Sequence, residues 1–166
     1  GAFLANGEAG AFDWGVLHMA ANPPIRVGDS LWIYYGGYDT VHGAKLPDVR
    51  QFGIGLAMLR PDGFVSADAR GTPGSLVTRP LCFEGRRLAV NASIGAGGSL
   101  AVAVLDRSYR AIEGYRREDC APLSGDGLGL PVRWEKTEML PAAGEENHVR
   151  LQFFLTEASL YSFRIE

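Results

Sequence analysis

Glycine and proline interrupt this chain 22 and 9 times in 166 residues, so that almost nowhere does an apolar pattern of period 3.6 persist for twelve residues. The segments left between the breaks are short, which predicts an all-β chain. With 46% apolar and 21% charged residues, it has the composition of an ordinary globular protein of one domain, or one and a half. At this length a chain buries roughly 68 to 70% of its unfolded surface, enough for a core without metal or disulfide staples.

Alternation of period two is clearest from residue 87. Leu88, Val90, Ala92 and Ile94 point one way while Ala89, Asn91 and Ser93 point the other, as on a half-buried strand. After Gly95-Ala96-Gly97-Gly98 the pattern resumes at Leu100, Val102 and Val104, which predicts a hairpin over 87–105. Further strands are expected at Phe64–Ala69, Leu76–Phe83, Val132–Glu135, His148–Leu155 and Leu160–Ile165, with 119–129 a long loop. Many short antiparallel strands joined by loops predict a jelly-roll-like β-sandwich over residues 61–166.

Residues 1–60 differ in being aromatic-rich, with Trp14, Trp32, Tyr34, Tyr35 and Tyr38 close together. Strands are expected at Phe12–Met19, Ser30–Tyr35 and Gln51–Leu59, with a polar loop over 36–48. Such a sheet of three or four strands buries too little to stand alone. It is expected to lean on the sandwich, on a second copy through residues 1–60, or on further sequence.

The formal net charge is −3, and the basic residues are spread along the chain, so no cationic stripe points to nucleic acid or anionic lipid. No run of about 18 apolar residues suggests a membrane-spanning helix. The opening GAFLANGEAG lacks the basic and apolar regions of a signal peptide, and localisation stays open between extracellular and cytoplasmic. Cys82 and Cys120 form no CxxC pair, which predicts two free thiols, against the alternative of a single disulfide, with Cys82, between Leu81 and Phe83, as a buried small hydrophobe.

The stretch Pro24-Ile25-Arg26-Val27-Gly28-Asp29-Ser30-Leu31-Trp32-Ile33-Tyr34-Tyr35-Gly36-Gly37, followed by Asp39 and His42-Gly43, resembles the last blade of five-bladed β-propeller glycoside hydrolases of families 32 and 43. Leu59-Arg60-Pro61-Asp62-Gly63-Phe64-Val65-Ser66 and Thr78-Arg79-Pro80-Leu81 are similar to the chain that leaves such a propeller for a C-terminal β-sandwich. Leu88-Ala89-Val90-Asn91, Val132-Arg133-Trp134 and Ala158-Ser159-Leu160-Tyr161-Ser162-Phe163 extend the resemblance to the end of the chain. It implies a terminal propeller-blade-like sheet over 1–60, with upstream blades as its partners, and an accessory sandwich over 61–166. A five-bladed propeller takes on the order of 250 to 300 residues, and catalytic carboxylates in these families come from several blades. Most of that set falls outside this chain, so it is expected to be non-catalytic in itself.

Glycoside hydrolysis needs two carboxyl groups, about 5 to 5.5 Å apart for retention or about 6.5 to 9.5 Å for inversion, and sequence supplies no such distance. Asp13 stands out because Phe12-Asp13-Trp14-Gly15 would open the innermost blade strand; its competing role is a turn cap. Carbohydrate sites pair an aromatic ring with polar groups for the hydroxyls. Asp13, Trp14, His18, Tyr38, Asp39 and His42 offer that mixture, against the alternative of a solvent loop with Tyr38 packed on the sheet. No metal centre or cofactor is indicated. Asp106, Glu118, Asp119 and Asp126 could lend oxygens to calcium, but Arg107, Arg110, Arg116 and Arg117 among them favour surface ion pairs. Gly97-Gly98-Ser99 lacks the elbow of a serine nucleophile. Two readings result: a carbohydrate-binding accessory region of a glycoside hydrolase-like protein, or a structural interaction module with no ligand.

Overall fold

The computed structural model describes residues 3–19, 22–45, 51–144 and 147–166. It is all-β, with antiparallel strands in two sheets and no helix among the described residues. The chain divides into two compact units, Gly1–Phe64 and Val65–Glu166.

The first unit is built on one central strand. β1 (Val16–Met19) and β2 (Ile25–Val27) lie in tandem along one edge of β3 (Ser30–Tyr38), and β4 (Phe52–Leu59) pairs along the other. Gly28, at φ 58°, supplies the positive φ that the two-residue turn between Val27 and Ser30 requires. The strand expected from Phe12 begins only at Val16. Ahead of it the chain turns, with Trp14 N–H donating to Ala11 O at 3.1 Å, and Gly15 N–H then donates to Tyr38 O at 2.8 Å. The loop expected from Gly36 is strand as far as Tyr38, and residues 46–50 lie outside the described residues.

Register sorts the side chains of this sheet into two unlike faces. Gly37 pairs with Gly53, and Tyr35 with Gly55. This small-residue face is covered by the N-terminal segment: a Cβ on Gly37 would stand 2.5 Å from Cβ of Asp13, one on Gly53 would strike the Phe12 ring, and Phe12 stacks on Tyr35 at 6.2 Å. On the opposite face Trp32, Tyr34 and Tyr38 pair with Met58, Leu56 and Phe52. Those β4 side chains are exposed, as is Ile54 between them, at 72%.

In the second unit β9 (Arg150–Ile165) and β7 (Leu88–Leu105) form the spine. β5 (Ala67–Ala69) and β6 (Gly74–Val77) pair along the outer edge of β9, and β8 (Gly125–Pro131) pairs with the first half of β7. The sheet curls into a half-barrel.

Residues 87–105 are therefore not a hairpin. Both halves of β7 run antiparallel to β9, with Ile94 opposite Ala158 and Ser99 opposite Thr156, so that Gly95–Gly98 bulge against Glu157 alone. Small residues permit this: a Cβ on Gly98 would sit 2.6 Å from Thr156 O, and Gly97 takes φ 74°. β9 likewise continues where two strands were expected, because Glu157 bends it at φ 45° instead of ending it. The loop expected over 119–129 gives way to β8 from Gly125, while Val132–Glu135 forms isolated bridges only. Leu76–Phe83 is strand just to Val77, then bridges at Leu81 and Phe83.

The apolar faces read from alternation are buried together: Leu88, Val90, Leu100, Val102 and Val104 from β7 meet Leu151, Phe153 and Leu155 from β9. Past the end of β8, the free edge of β7 must satisfy its peptide groups another way. Leu100 exchanges hydrogen bonds with Leu123. Val102 N–H donates to Cys120 Sγ at 3.3 Å, and Val102 O accepts from Trp134 Nε1 at 3.0 Å. Val104 N–H donates to Tyr115 O, and its carbonyl accepts from Ile112 N–H, both at 2.9 Å. Loop and side-chain groups thus stand in for a further strand along this edge. Cys120 is the buried thiol and Cys82 is exposed, reversing the expectation for Cys82, because Leu81 and Phe83 turn inward and leave the residue between them facing out.

Candidate functional site

The sheet of the first unit separates the six candidate residues. Asp13 lies on the covered face, half-buried, where its Oδ2 accepts a 2.8 Å hydrogen bond from the Tyr35 hydroxyl. That bond is lost on ionisation of the phenol, and with burial and the neighbouring carboxylate charge it holds the Tyr35 pKa above the ordinary tyrosine value. Asp13 here orders a turn against the sheet. Trp14 is exposed, and its carbonyl accepts from Asn6 Nδ2 at 2.9 Å. Asp39 closes the end of the β3–β4 pair: Oδ1 accepts from Gln51 N–H at 2.9 Å and its own N–H donates to Gln51 O at 3.2 Å.

His18, Tyr38 and His42 come together on the other side. They line a pocket of about 260 Å³ with Val16, Thr40 and Val41. His18 and Val16 reach it because β1 pairs Val16 with Tyr38 and His18 with Gly36, which sets both on the exposed face of the sheet. The His18 ring meets Tyr38 edge-on at 5.9 Å, and Tyr38 tilts against Phe52 at 5.1 Å. The described lining offers two imidazoles, a phenol and the Thr40 hydroxyl. It can exchange hydrogen bonds with a polar ligand beside an aromatic surface. Its described residues include no carboxylate, so the acid and base of glycoside hydrolysis are not assembled there.

Sequence reasoning missed Val16, and missed that the pocket opens beside an apolar sheet face. The signal was present in β4, where Phe52, Ile54, Leu56 and Met58 alternate with Gly53, Gly55 and Ala57. Its direction could not be read, since bulky residues ordinarily point inward.

In the second unit, two of the carboxylates considered for calcium, Asp106 and Asp119, serve the backbone. Asp106 Oδ1 accepts from the N–H groups of Ser108 and Arg110 at 2.7 and 2.9 Å, and Asp119 Oδ2 accepts from Arg116 N–H at 2.8 Å. Of the interleaved arginines, Arg117 lies over the Phe154 ring at 4.8 Å. Among the described residues no group of three or more His, Cys, Asp or Glu side chains is placed to hold a metal ion. Compared with known proteins, the chain matches no family model, no curated protein and no solved structure.

Proposed function

We propose that this chain is an accessory region of a glycoside hydrolase-like, carbohydrate-active protein, non-catalytic in itself, with a blade-like first unit and a jelly-roll-like sandwich as its second. The observation that carries the reading is the exposed face formed by Trp32, Tyr34, Phe52, Ile54, Leu56 and Met58. A sheet covered on one side by its own N-terminal segment and apolar on the other suits face-to-face stacking against a like sheet, as propeller blades stack. Large exposed apolar patches are otherwise avoided in soluble proteins. The pocket of His18, Tyr38 and His42 at the rim of that face would take the sugar hydroxyls, with Tyr38 as the aromatic surface.

The same face supports a second reading, a structural module that docks another sheet and binds no ligand. Titrating the full chain with a panel of oligosaccharides while following tryptophan emission separates the two. Saturable change from Trp32 or Trp14, abolished by Tyr38→Ala, favours carbohydrate binding. Silence across the panel favours the structural module.

A further inference from the structure

The bend of the second sheet creates a polar cleft that the first unit's pocket does not explain. Asp68 on β5 stands opposite Ser159 on β9, and Ser159 opposite Ser93 on β7. Directly opposed residues share one face of a sheet, so a carboxylate and two hydroxyls run in a row across three strands. Ser159 is only 4% exposed, and Asp68 Oδ1 also accepts from Ser66 Oγ at 2.8 Å. One residue before Ala158, the left-handed backbone of Glu157 carries its carboxylate onto Gly71 N–H at 2.6 Å. Opposite it the bulge presents Gly95, which has no side chain to fill the space. The result is a cleft of about 210 Å³ lined by Arg70, Ser93, Gly95, Glu157, Ser159 and Tyr161.

The chemistry of this lining narrows what it can hold. Glu157 repels an anion, and Arg70 repels a cation. The half-buried Ser93 hydroxyl disfavours a wholly apolar guest, since its hydrogen bonds to water would go unreplaced. Neutral ligands that both donate and accept at closely spaced positions fit all three constraints. The volume lies below the roughly 300 to 1,000 Å³ of pockets for drug-sized molecules, which suits one ring. We propose that this cleft binds a single neutral saccharide ring, with Glu157 accepting from adjacent hydroxyls, Arg70 donating to them, and Tyr161 beside the ring. The site lies wholly in the second unit and stands or falls apart from the pocket of His18 and Tyr38.

Amide-resolved NMR titration of the full chain with neutral methyl glycosides of gluco, galacto, manno and fructo configuration, at tens of millimolar, tests it. The expected result is saturable shifts at Ser93, Gly95, Glu157 and Tyr161 for at least one glycoside. Replacing a charged hydrogen-bonding group should weaken that binding about tenfold or more, in Glu157→Ala and in Arg70→Ala alike. Arg70 is exposed and outside the core, so its variant reports even where loss of Glu157 disturbs the bend. The proposal is overturned by the absence of shifts at these amides for every glycoside, by binding that both variants retain, or by glucuronate binding more tightly than the neutral sugars. Shifts confined to His18, Tyr38 and His42 would also overturn it while favouring the first unit's pocket.

Discussion

Cys120 Sγ accepts the backbone N–H of Val102 at 3.3 Å, at a point where β7 has β9 on one side and no strand on the other. Burial raises the pKa of this thiol, partly offset by that hydrogen bond, so Cys120 stays protonated where an ordinary cysteine begins to ionise. Cys120→Ala should cost about 1 to 3 kcal/mol, the penalty for leaving a buried donor unsatisfied, measured by urea unfolding. A loss below about 0.5 kcal/mol would mean that the peptide group finds another acceptor.

The two thiols should also separate kinetically. Exposed Cys82 is expected to react with a disulfide reagent at once and Cys120 only on unfolding. Because the folded pKa of Cys120 lies above its unfolded value, its contribution to stability is complete at neutral pH. That contribution declines as pH rises past the ordinary cysteine range toward the folded value. Unfolding midpoints that fall above about pH 9 in the native chain but not in Cys120→Ala, relative to their own neutral values, would carry that signature.

Phe153 is fully buried opposite Val102 and tilted against Phe163 at 5.4 Å. Phe153→Ala should cost about 3 to 5 kcal/mol through lost transfer energy and the cavity left behind. A loss under about 1 kcal/mol would place Phe153 outside the cooperative core, contrary to its burial.

What could be read in advance follows from which signals are local. Alternation at Leu88–Ile94 and at Val149–Leu155 identified strands and their buried faces, because a side-chain period of two is a property of each strand by itself. Connectivity was not local. Gly95-Ala96-Gly97-Gly98 has the composition of a turn, and only the neighbouring Glu157, bent at φ 45°, makes it a bulge between two halves of one strand. β8 was hidden because Gly125, Gly127, Gly129 and Pro131 punctuate it like a loop, while its pairing is set by β7. At the candidate site, His18, Tyr38 and His42 could be named from residue type. Their separation from Asp13 could not, since it depends on which face of β3 the N-terminal segment covers.

Tyr35 and Asp13 provide a check on that covering. Tyr35→Phe removes a hydrogen bond to the Asp13 carboxylate and should destabilise the first unit by about 1 to 2 kcal/mol. The phenol's pKa is raised in the fold, so its contribution is complete below the ordinary tyrosine value near 10 and is lost as pH climbs through the folded value. Near-ultraviolet circular dichroism should therefore show the native chain converging on the variant at high pH. Parallel curves for the two proteins would mean that the bond contributes nothing.

The exposed face of the first unit yields the remaining prediction. Its bulky side chains point outward from β4 while Gly53, Gly55 and Ala57 point inward, and the small residues are explained by the rings of Phe12 and Tyr35 lying against them. The outward row has no such explanation within the sheet. Ile54 and Met58, at 72% and 68% exposure, stand on a strand with no charged residue, the kind of surface that attracts another sheet. In the absence of a partner, full-length chains should associate through it at micromolar to millimolar concentration, and bind a hydrophobic dye. Ile54→Lys and Met58→Glu, each surface-exposed, should abolish association and reduce dye binding while changing stability by about 0.5 kcal/mol or less. Sedimentation decides the matter. A native chain that remains monomeric across that range, with dye binding equal to that of both variants, would remove the physical basis for a covered blade.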